Sequence, residues 1–144
     1  MSNVLNRFEP PVGNDNKLII GGSFETEASQ SLTKVYLPVD ITNISSAAVV
    51  YLPCPVAGTI SKITTIINGA IATANAILTG KIGSTTITGG AVTIPFSGSA
   101  AGQVNSTTPT ALNTVAAGDN INFTANNAST NTVRATIVVE ITLS

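Results

Sequence analysis

The chain has 144 residues, of which 43% are hydrophobic, and a net charge of −1, so it is long enough for one domain with a buried core. Its 6 basic and 7 acidic residues leave no basic surface for nucleic acid or for an anionic membrane, and we expect neither as a partner. The hydrophobic content excludes a charge-driven disordered chain, and no apolar run reaches the roughly 18–20 residues of a spanning helix.

Residues 1–33 are predicted to form an extended N-terminal arm. Pro10-Pro11 and Gly21-Gly22 interrupt regular structure repeatedly, and most of the acidic residues of the chain fall in or near this region. Two short segments, 17–20 and 23–27, could each add as an edge strand to the body or to a partner. The start of the chain lacks the apolar stretch of a secretory signal, so we expect synthesis in a cytoplasm.

Residues 34–144 are predicted to form an antiparallel β-sandwich or jelly-roll-like body. Apolar and polar residues alternate with a period of two in several segments, which is typical of half-buried strands, and other segments are apolar on both faces. This phase points Phe96 and Phe123 toward the core. We expect seven or eight strands. They include segments at 35–41, 47–52, 60–67, 76–82, 92–96, 121–123 and 133–143.

Turn residues divide these segments at intervals that suit an all-β fold. Asn68-Gly69 predicts a tight type I′ turn, and Gly89-Gly90 is expected to separate two short strands. The segment 117–120 predicts a turn before a strand. Residues 69–78 contain four alanines and might favour a helix, but Thr73, Asn75 and the flanking β-formers favour a strand or an irregular edge.

The chemistry-bearing residues are few and dispersed. From Ile41 onward the charged residues are Lys62, Lys81, Asp119, Arg134 and Glu140, and the chain has no histidine. Acid–base catalysis needs titratable groups held close together, so we expect no enzyme, no catalytic residue and no cofactor; a hydrolase would have to depend on Asp119 and Glu140.

Two residues have both a chemical and a structural interpretation. Asp119 follows Gly118, as in some calcium loops, but a calcium ion needs several carboxylates and only this one is local, so a turn-capping role is favoured. Cys54 has no second cysteine to pair with and no neighbouring metal ligands, so we expect it to pack in the core. We expect no metal site.

The outward faces of the predicted strands carry threonine, serine, asparagine and alanine with hardly a charge. Soluble monomeric sheets usually display mixed charges, and interface centres are depleted in charge. This pattern favours self-association into a closed ring of two or three subunits.

Three segments of the body carry a resemblance to a known family. They are VAGTISKITTIINGAIATANAILTGKIG, TITGGAVTIPFSGSAAGQV and TALNTVAAGDNINFTAN, and the resemblance runs from about Val56 to the end of the chain. In composition and segment order the chain resembles the decoration, or cement, proteins of tailed-bacteriophage capsids. The resemblance implies a jelly-roll-like body that forms a homotrimer on the outer capsid surface of the virion. It also implies that the arm grips neighbouring copies of the major capsid protein, and it implies no catalytic residues.

Within the arm, an apolar anchor beside a charge is typical of an ordered contact. We therefore expect Arg7, Phe8, Phe24 and Glu25 to contribute to the capsid contact. The alternative is a fibre-tip or surface adhesin module, in which loops at 105–109 and 126–131 would bind a glycan. Glycan-binding modules usually present exposed aromatic rings beside amide groups, and the body has two tyrosines and two phenylalanines.

Overall fold

The computed structural model describes residues 32–144. The arm and its expected contact residues Arg7, Phe8, Phe24 and Glu25 lie outside the described residues. The described residues form nine strands and no helix, which confirms the all-β prediction. The strands are β1 Lys34–Ile41, β2 Val49–Pro53, β3 Gly58–Ile67, β4 Ala76–Ile82, β5 Thr85–Ile94, β6 Val104–Thr107, β7 Thr114–Val115, β8 Asn120–Ala125 and β9 Ala135–Leu143.

The strands form two antiparallel sheets. The first sheet has the order β1-β9-β3-β6, with β7 also paired to β3, and the second has the order β2-β8-β4-β5. The strand pairs are nested along the sequence, so that each pair encloses the next. From the outside inward they are β1 with β9, β2 with β8, β3 with β6 and β7, and β4 with β5. The chain is therefore a long hairpin, with its tip between β4 and β5, rolled into two sheets. This is a jelly-roll arrangement.

The core lies between the two sheets and is filled mainly by isoleucine and valine from the inward phase of each strand. Phe123 of β8, completely buried, is the largest side chain in it. In β9 the residues Ile137, Val139 and Ile141 are buried and alternate with partly exposed residues, as the period-two pattern predicts. The β-branched side chains suit this pleated, half-buried geometry because their χ1 rotamers are already restricted.

Three local predictions were wrong. Neither Asn68 nor Gly69 has the positive φ that a type I′ turn requires. Asn68 instead bonds to Arg134: its N–H donates to the Arg134 carbonyl at 3.0 Å, and its Oδ1 accepts the Arg134 N–H at 2.9 Å. Gly89 and Gly90 do not separate two strands, because both lie within β5, opposite a register shift in β4. Phe96 lies beyond the end of β5 and is 43% exposed.

The segment 69–78 behaves as the sequence suggested. It is irregular up to Asn75 apart from an isolated bridge between Ala72 and Thr130, and β4 then begins at Ala76. The short strands β6 and β7 were not predicted. Each pairs only with β3 in the first sheet.

Candidate interaction surfaces

The outer face of the first sheet carries most of the charge of the described body. Lys34 Nζ lies 3.3 Å from Glu140 Oε1 across the β1–β9 pair, and Arg134 Nη1 lies 3.0 Å from Asp40 Oδ2. Lys62 is exposed and lies opposite Glu140 in the β3–β9 register. This face has the mixed charges that soluble sheets usually present to solvent.

Glu140 is the centre of a small polar cluster on this face. The Ser61 hydroxyl donates to Glu140 Oε1 at 2.6 Å. That hydrogen bond, with smaller contributions from Tyr36 and Lys34, holds the pKa of Glu140 below its ordinary value, because each partner favours the ionised carboxylate. In turn, hydrogen bonding to the carboxylate of Glu140 and its negative charge raise the pKa of Tyr36. The Glu140 carboxylate thus joins side chains of β1, β3 and β9 on this face.

The outer face of the second sheet is nearly uncharged. Among the described residues, Lys81 is the one charged side chain in its four strands. The register places Tyr51 of β2, Asn122 of β8, Lys81 of β4 and Thr86 of β5 in one row across the sheet. Tyr51 is 62% exposed, and Val49 in the adjacent row of β2 is 45% exposed. An exposed tyrosine on a face poor in charge has the composition of an interface centre.

A groove of about 360 Å³ opens beside the turn between β4 and β5, where the ends of these two strands meet the segment that leads into β7 of the first sheet. Its walls are Ile82, Thr85, Leu112 and Thr114. Leu112 is 60% exposed and has a φ of 53°. This left-handed conformation is unfavourable for a leucine, and it places an apolar side chain at the surface.

The predicted structural roles of Asp119 and Cys54 are confirmed. Asp119 Oδ2 accepts the Ala116 N–H at 2.8 Å and so caps the turn before β8, in which Gly118 has a φ of 97°. The thiol of Cys54 is buried and donates to the Val56 carbonyl at 3.1 Å. Within residues 32–144, no three histidine, cysteine, aspartate or glutamate side chains come together where they could hold a metal ion. The described part of the chain also has no helix that could span a membrane.

Several residues of the loops named in the glycan alternative are engaged within the chain. Most of 105–109 belongs to β6, and Pro109 is buried. In 126–131 the amides bond within the chain: Asn126 Oδ1 accepts the Ile77 N–H at 3.0 Å, and Asn131 Nδ2 donates to the Ala70 carbonyl at 3.1 Å. These side chains shape the loop, as asparagine commonly does in turns.

Sequence reasoning did not single out Tyr51 or Leu112 as surface features. The exposure of Tyr51 could have been predicted from the sequence, because Tyr51 lies between Val50 and Leu52 and so points outward in a strand with a period of two. Leu112 carries no such signal, since its backbone conformation depends on partners that are distant in sequence.

Comparisons with known proteins give structural likenesses at low identity. No family model matches the chain, and no curated protein matches it. One similar solved structure is the acidic stable capsid structure of Helicobacter pylori bacteriophage KHP30, with a TM-score of 0.44 and 14% identity over 78% of this chain and 89% of that chain. Another is the capsid asymmetric unit of cyanophage Pam1, with a TM-score of 0.48 and 13% identity over 94% of this chain and 100% of that chain. Because both TM-scores and both identities are low, these likenesses carry no functional conclusion.

Proposed function

We propose that this protein is a structural component of a bacteriophage virion, a decoration or cement protein. It binds the outer surface of the capsid as a homotrimeric knob and stabilises the shell by bridging neighbouring copies of the major capsid protein. The family resemblance from about Val56 to the end of the chain motivates this role.

The observation that best supports self-association is the low charge of the outer face of the second sheet. It has Lys81 as its one described charge and exposes Tyr51 and Val49, whereas the first sheet has two ion pairs at its surface. Burying a face with so little charge costs little desolvation, and burying exposed tyrosine and valine is favourable. The first sheet also exposes Tyr36, Ile66 and Val104, so the low charge of the second sheet is what distinguishes its outer face as the one proposed for contact.

The physical reason for shell stabilisation is selective binding. A knob that binds several capsid subunits at once binds the assembled lattice and not the isolated subunit, so it shifts the equilibrium toward the assembled shell. Three arms on one trimer act at high effective concentration, so each arm can bind weakly while the knob stays attached.

The first test combines native mass with capsid binding. The expected solution species has three times the chain mass of 14.5 kDa, and the same sample should co-sediment with undecorated phage capsids and raise their melting temperature. A monomer would contradict the proposed self-association. A trimer that remains in the supernatant would contradict the capsid role while leaving the trimer intact.

The arm is proposed to make the capsid contact through Arg7, Phe8, Phe24 and Glu25. A deletion of residues 1–31 keeps Thr33, whose carbonyl accepts the Leu143 N–H at 2.9 Å, so the body should fold and trimerise but no longer pellet with capsids. Retained co-sedimentation would assign the capsid contact to the body.

Alanine variants refine this assignment to single residues. Arg7→Ala, Phe8→Ala, Phe24→Ala and Glu25→Ala should each reduce capsid binding. Lys17→Ala is the matched control, because Lys17 lies in the same segment of the chain and is outside the proposed contact set. An equal loss in the control would show that the capsid contact is not specific to the four proposed residues.

A further inference from the structure

We infer that Pro38 and Pro53 close the two open strand edges of the described body, so that a second copy of the chain does not extend either sheet by strand addition. The two prolines lie on β1 and β2, which are neighbours on one lateral side of the sandwich. These edges are separate from the outer face proposed for self-association, so the inference goes beyond the proposed function.

Each of these two strands has a hydrogen-bonded partner strand on one side only. β1 pairs with β9 at the end of the first sheet, and β2 pairs with β8 at the end of the second. Within residues 32–144, no further strand pairs with either of them. A row of unpaired backbone N–H and C=O groups at such an edge is a template for pairing with another chain, and natural sheets protect their edges against it.

The hydrogen bonds of β1 show which side of the strand Pro38 faces. The Leu143 N–H donates to the Thr33 carbonyl at 2.9 Å, and this pair continues the β1–β9 register by one residue. In an antiparallel ladder, residue pairs that exchange hydrogen bonds alternate with pairs whose backbone groups point away from each other. The odd-numbered residues of β1 therefore bond to β9. The even-numbered residues, which include Pro38, direct their backbone groups to the open edge.

Pro53 has the equivalent position at the open edge of β2. The Ala125 N–H donates to the Ala48 carbonyl at 3.0 Å, and the Cys54 N–H donates to the Asp119 carbonyl at 2.8 Å. Both bonds continue the β2–β8 register, so the even-numbered residues of this segment bond to β8. The odd-numbered residues of β2, which include Pro53, therefore direct their backbone groups away from β8.

Proline at these two positions removes a donor from each open edge without cost to the native sheet. Its nitrogen carries no hydrogen, and a sheet tolerates it where that nitrogen faces away from the partner strand. A strand added at either edge would have a carbonyl left without a donor, and the proline ring would stand where the amide hydrogen is needed. β1 has 8 residues and β2 has 5, so one such position interrupts most of the ladder that a second chain could form.

The opposite lateral side of the sandwich is closed by other means. The Thr88 N–H donates to the Ala111 carbonyl at 2.9 Å, and the Thr88 carbonyl accepts the Thr110 N–H at 2.9 Å, so residues 110–111 cover part of the β5 edge. The Thr107 hydroxyl donates to the Gly89 carbonyl at 2.9 Å on the same edge. The neighbouring edge strand β6 has only 4 residues, and very short edge strands are themselves a form of protection. Proline is thus the device at the two edges that the described residues leave uncovered.

Closed edges determine how copies of the chain can meet. Strand addition takes its affinity from main-chain hydrogen bonds, which any extended chain can supply, so an open edge discriminates poorly between partners. With both edges closed, association has to use the side chains of a sheet face, where shape and charge select the partner.

Restoring the missing donors tests the inference. Pro38→Thr and Pro53→Thr, singly and together, return an N–H to each open edge with a side chain of high β-propensity. Each restored donor gives an added strand one more hydrogen bond and leaves no carbonyl unpaired. Sedimentation velocity of the full chain should therefore show assemblies larger than the wild-type species, with an association constant at least about tenfold higher.

Pro55→Thr is the matched control. Pro55 is exposed and lies two residues after Pro53, but it is beyond the end of β2. This variant should sediment like wild type. If Pro38→Thr and Pro53→Thr keep the wild-type circular dichroism spectrum and also sediment like wild type, the inference is wrong. Larger assemblies of Pro55→Thr to the same extent would also contradict it, because the effect would then not depend on the strand edge.

Amide hydrogen exchange of the unmodified protein is a second test, which does not depend on any variant that has to fold. The N–H groups of Val49 and Tyr51 face the open edge of β2, so they should exchange at least about 100-fold faster than those of Val50 and Leu52, which bond to β8. Equally slow exchange at all four positions would show that this edge is paired, and it would overturn the inference. Native mass separately decides the proposed trimer, so the two proposals can fail independently.

Discussion

Replacing Tyr51 by alanine should weaken the trimer through a loss that can be estimated from exposure. Burial of a tyrosine removes about 150–250 Å² from water, and 62% of the Tyr51 surface is exposed in the subunit, so complete burial in a subunit contact removes about 125 Å² more. At about 25 cal/mol per Å² this corresponds to roughly 3 kcal/mol for each contact. Side-chain ordering reduces that value, and we expect a loss of about 2–3 kcal/mol, which is in the range of interface hot spots.

A ring of three subunits contains this contact three times, so the variant loses about 6–9 kcal/mol of trimer stability if the contacts are independent. Every 1.4 kcal/mol is about a tenfold change in the equilibrium constant. The concentration of half-dissociation of a trimer varies with the square root of its dissociation constant. The midpoint should therefore rise by about 100- to 1,000-fold.

The assay is a dilution series read by native mass or by sedimentation velocity, with Tyr36→Ala as the control. Tyr36 is similarly exposed, at 58%, but lies on the first sheet, so its variant should shift the midpoint less than about threefold, which corresponds to less than about 0.5 kcal/mol for each contact. Equal shifts for the two variants, or no shift for Tyr51→Ala, would refute the assignment of the contact to the second sheet. At a concentration at which wild type and variant are both dissociated, an unchanged melting temperature would show that folding of the subunit is intact.

Three further outcomes test the fold itself. Gly58→Ala would place a methyl group against the Thr142 carbonyl and 2.8 Å from Ile141 Cγ2, so urea unfolding should show a loss of about 2–4 kcal/mol. Gly69→Ala, whose nearest contact would be 3.5 Å, should change stability by less than about 0.5 kcal/mol; equal losses would refute the packing argument. Phe123→Ala should cost about 3–5 kcal/mol by the same measurement, and a loss below about 1 kcal/mol would contradict its central place in the core.

The third outcome is the pH dependence of stability that Glu140 produces. Because the folded pKa of Glu140 is lowered, its contribution to stability is complete above the ordinary carboxyl pKa of 4.5 and is lost as pH falls through the lowered folded value. Unfolding curves should thus give a larger free energy of unfolding for wild type than for Glu140→Gln at pH 7. This difference in free energy should become smaller on acidification below about pH 4.5. A constant difference would contradict the ionic role of this carboxylate.

The strands that the sequence predicted are those whose burial depends on local alternation. Segments at the start and end of the body were found because each has one face on the core, so every second residue is apolar. The strands β6 and β7 were missed because four and two residues are too few for a periodic pattern. Their pairing depends on β3, which is far away in the chain.

The wrong local predictions have a shared cause. Asn68-Gly69 is a common two-residue turn sequence, but Asn68 exchanges hydrogen bonds with Arg134, 66 residues away, and this long-range pair determines its backbone. Phe96 continues the alternation of β5 in the sequence, yet its N–H is bonded to Asn75 Oδ1 at 3.1 Å and the strand has already ended. Tertiary partners decide both positions, and a single sequence does not display them.

The rolled hairpin places the first strand of the described body and Tyr51 on different sheets. Lys34, the first strand residue of the body, belongs to the first sheet, whereas Tyr51 lies on β2 at one edge of the second sheet. A ring closed through the outer face of the second sheet would leave the charged outer face of the first sheet outside the contact surface. The two ion pairs of the first sheet also stay in solvent, where they contribute little to affinity but oppose nonspecific association. Variants in the arm should abolish capsid binding because each single contact with the capsid is lost. Variants on the second sheet should abolish it because the trimer dissociates, and a single weak contact is then not sufficient.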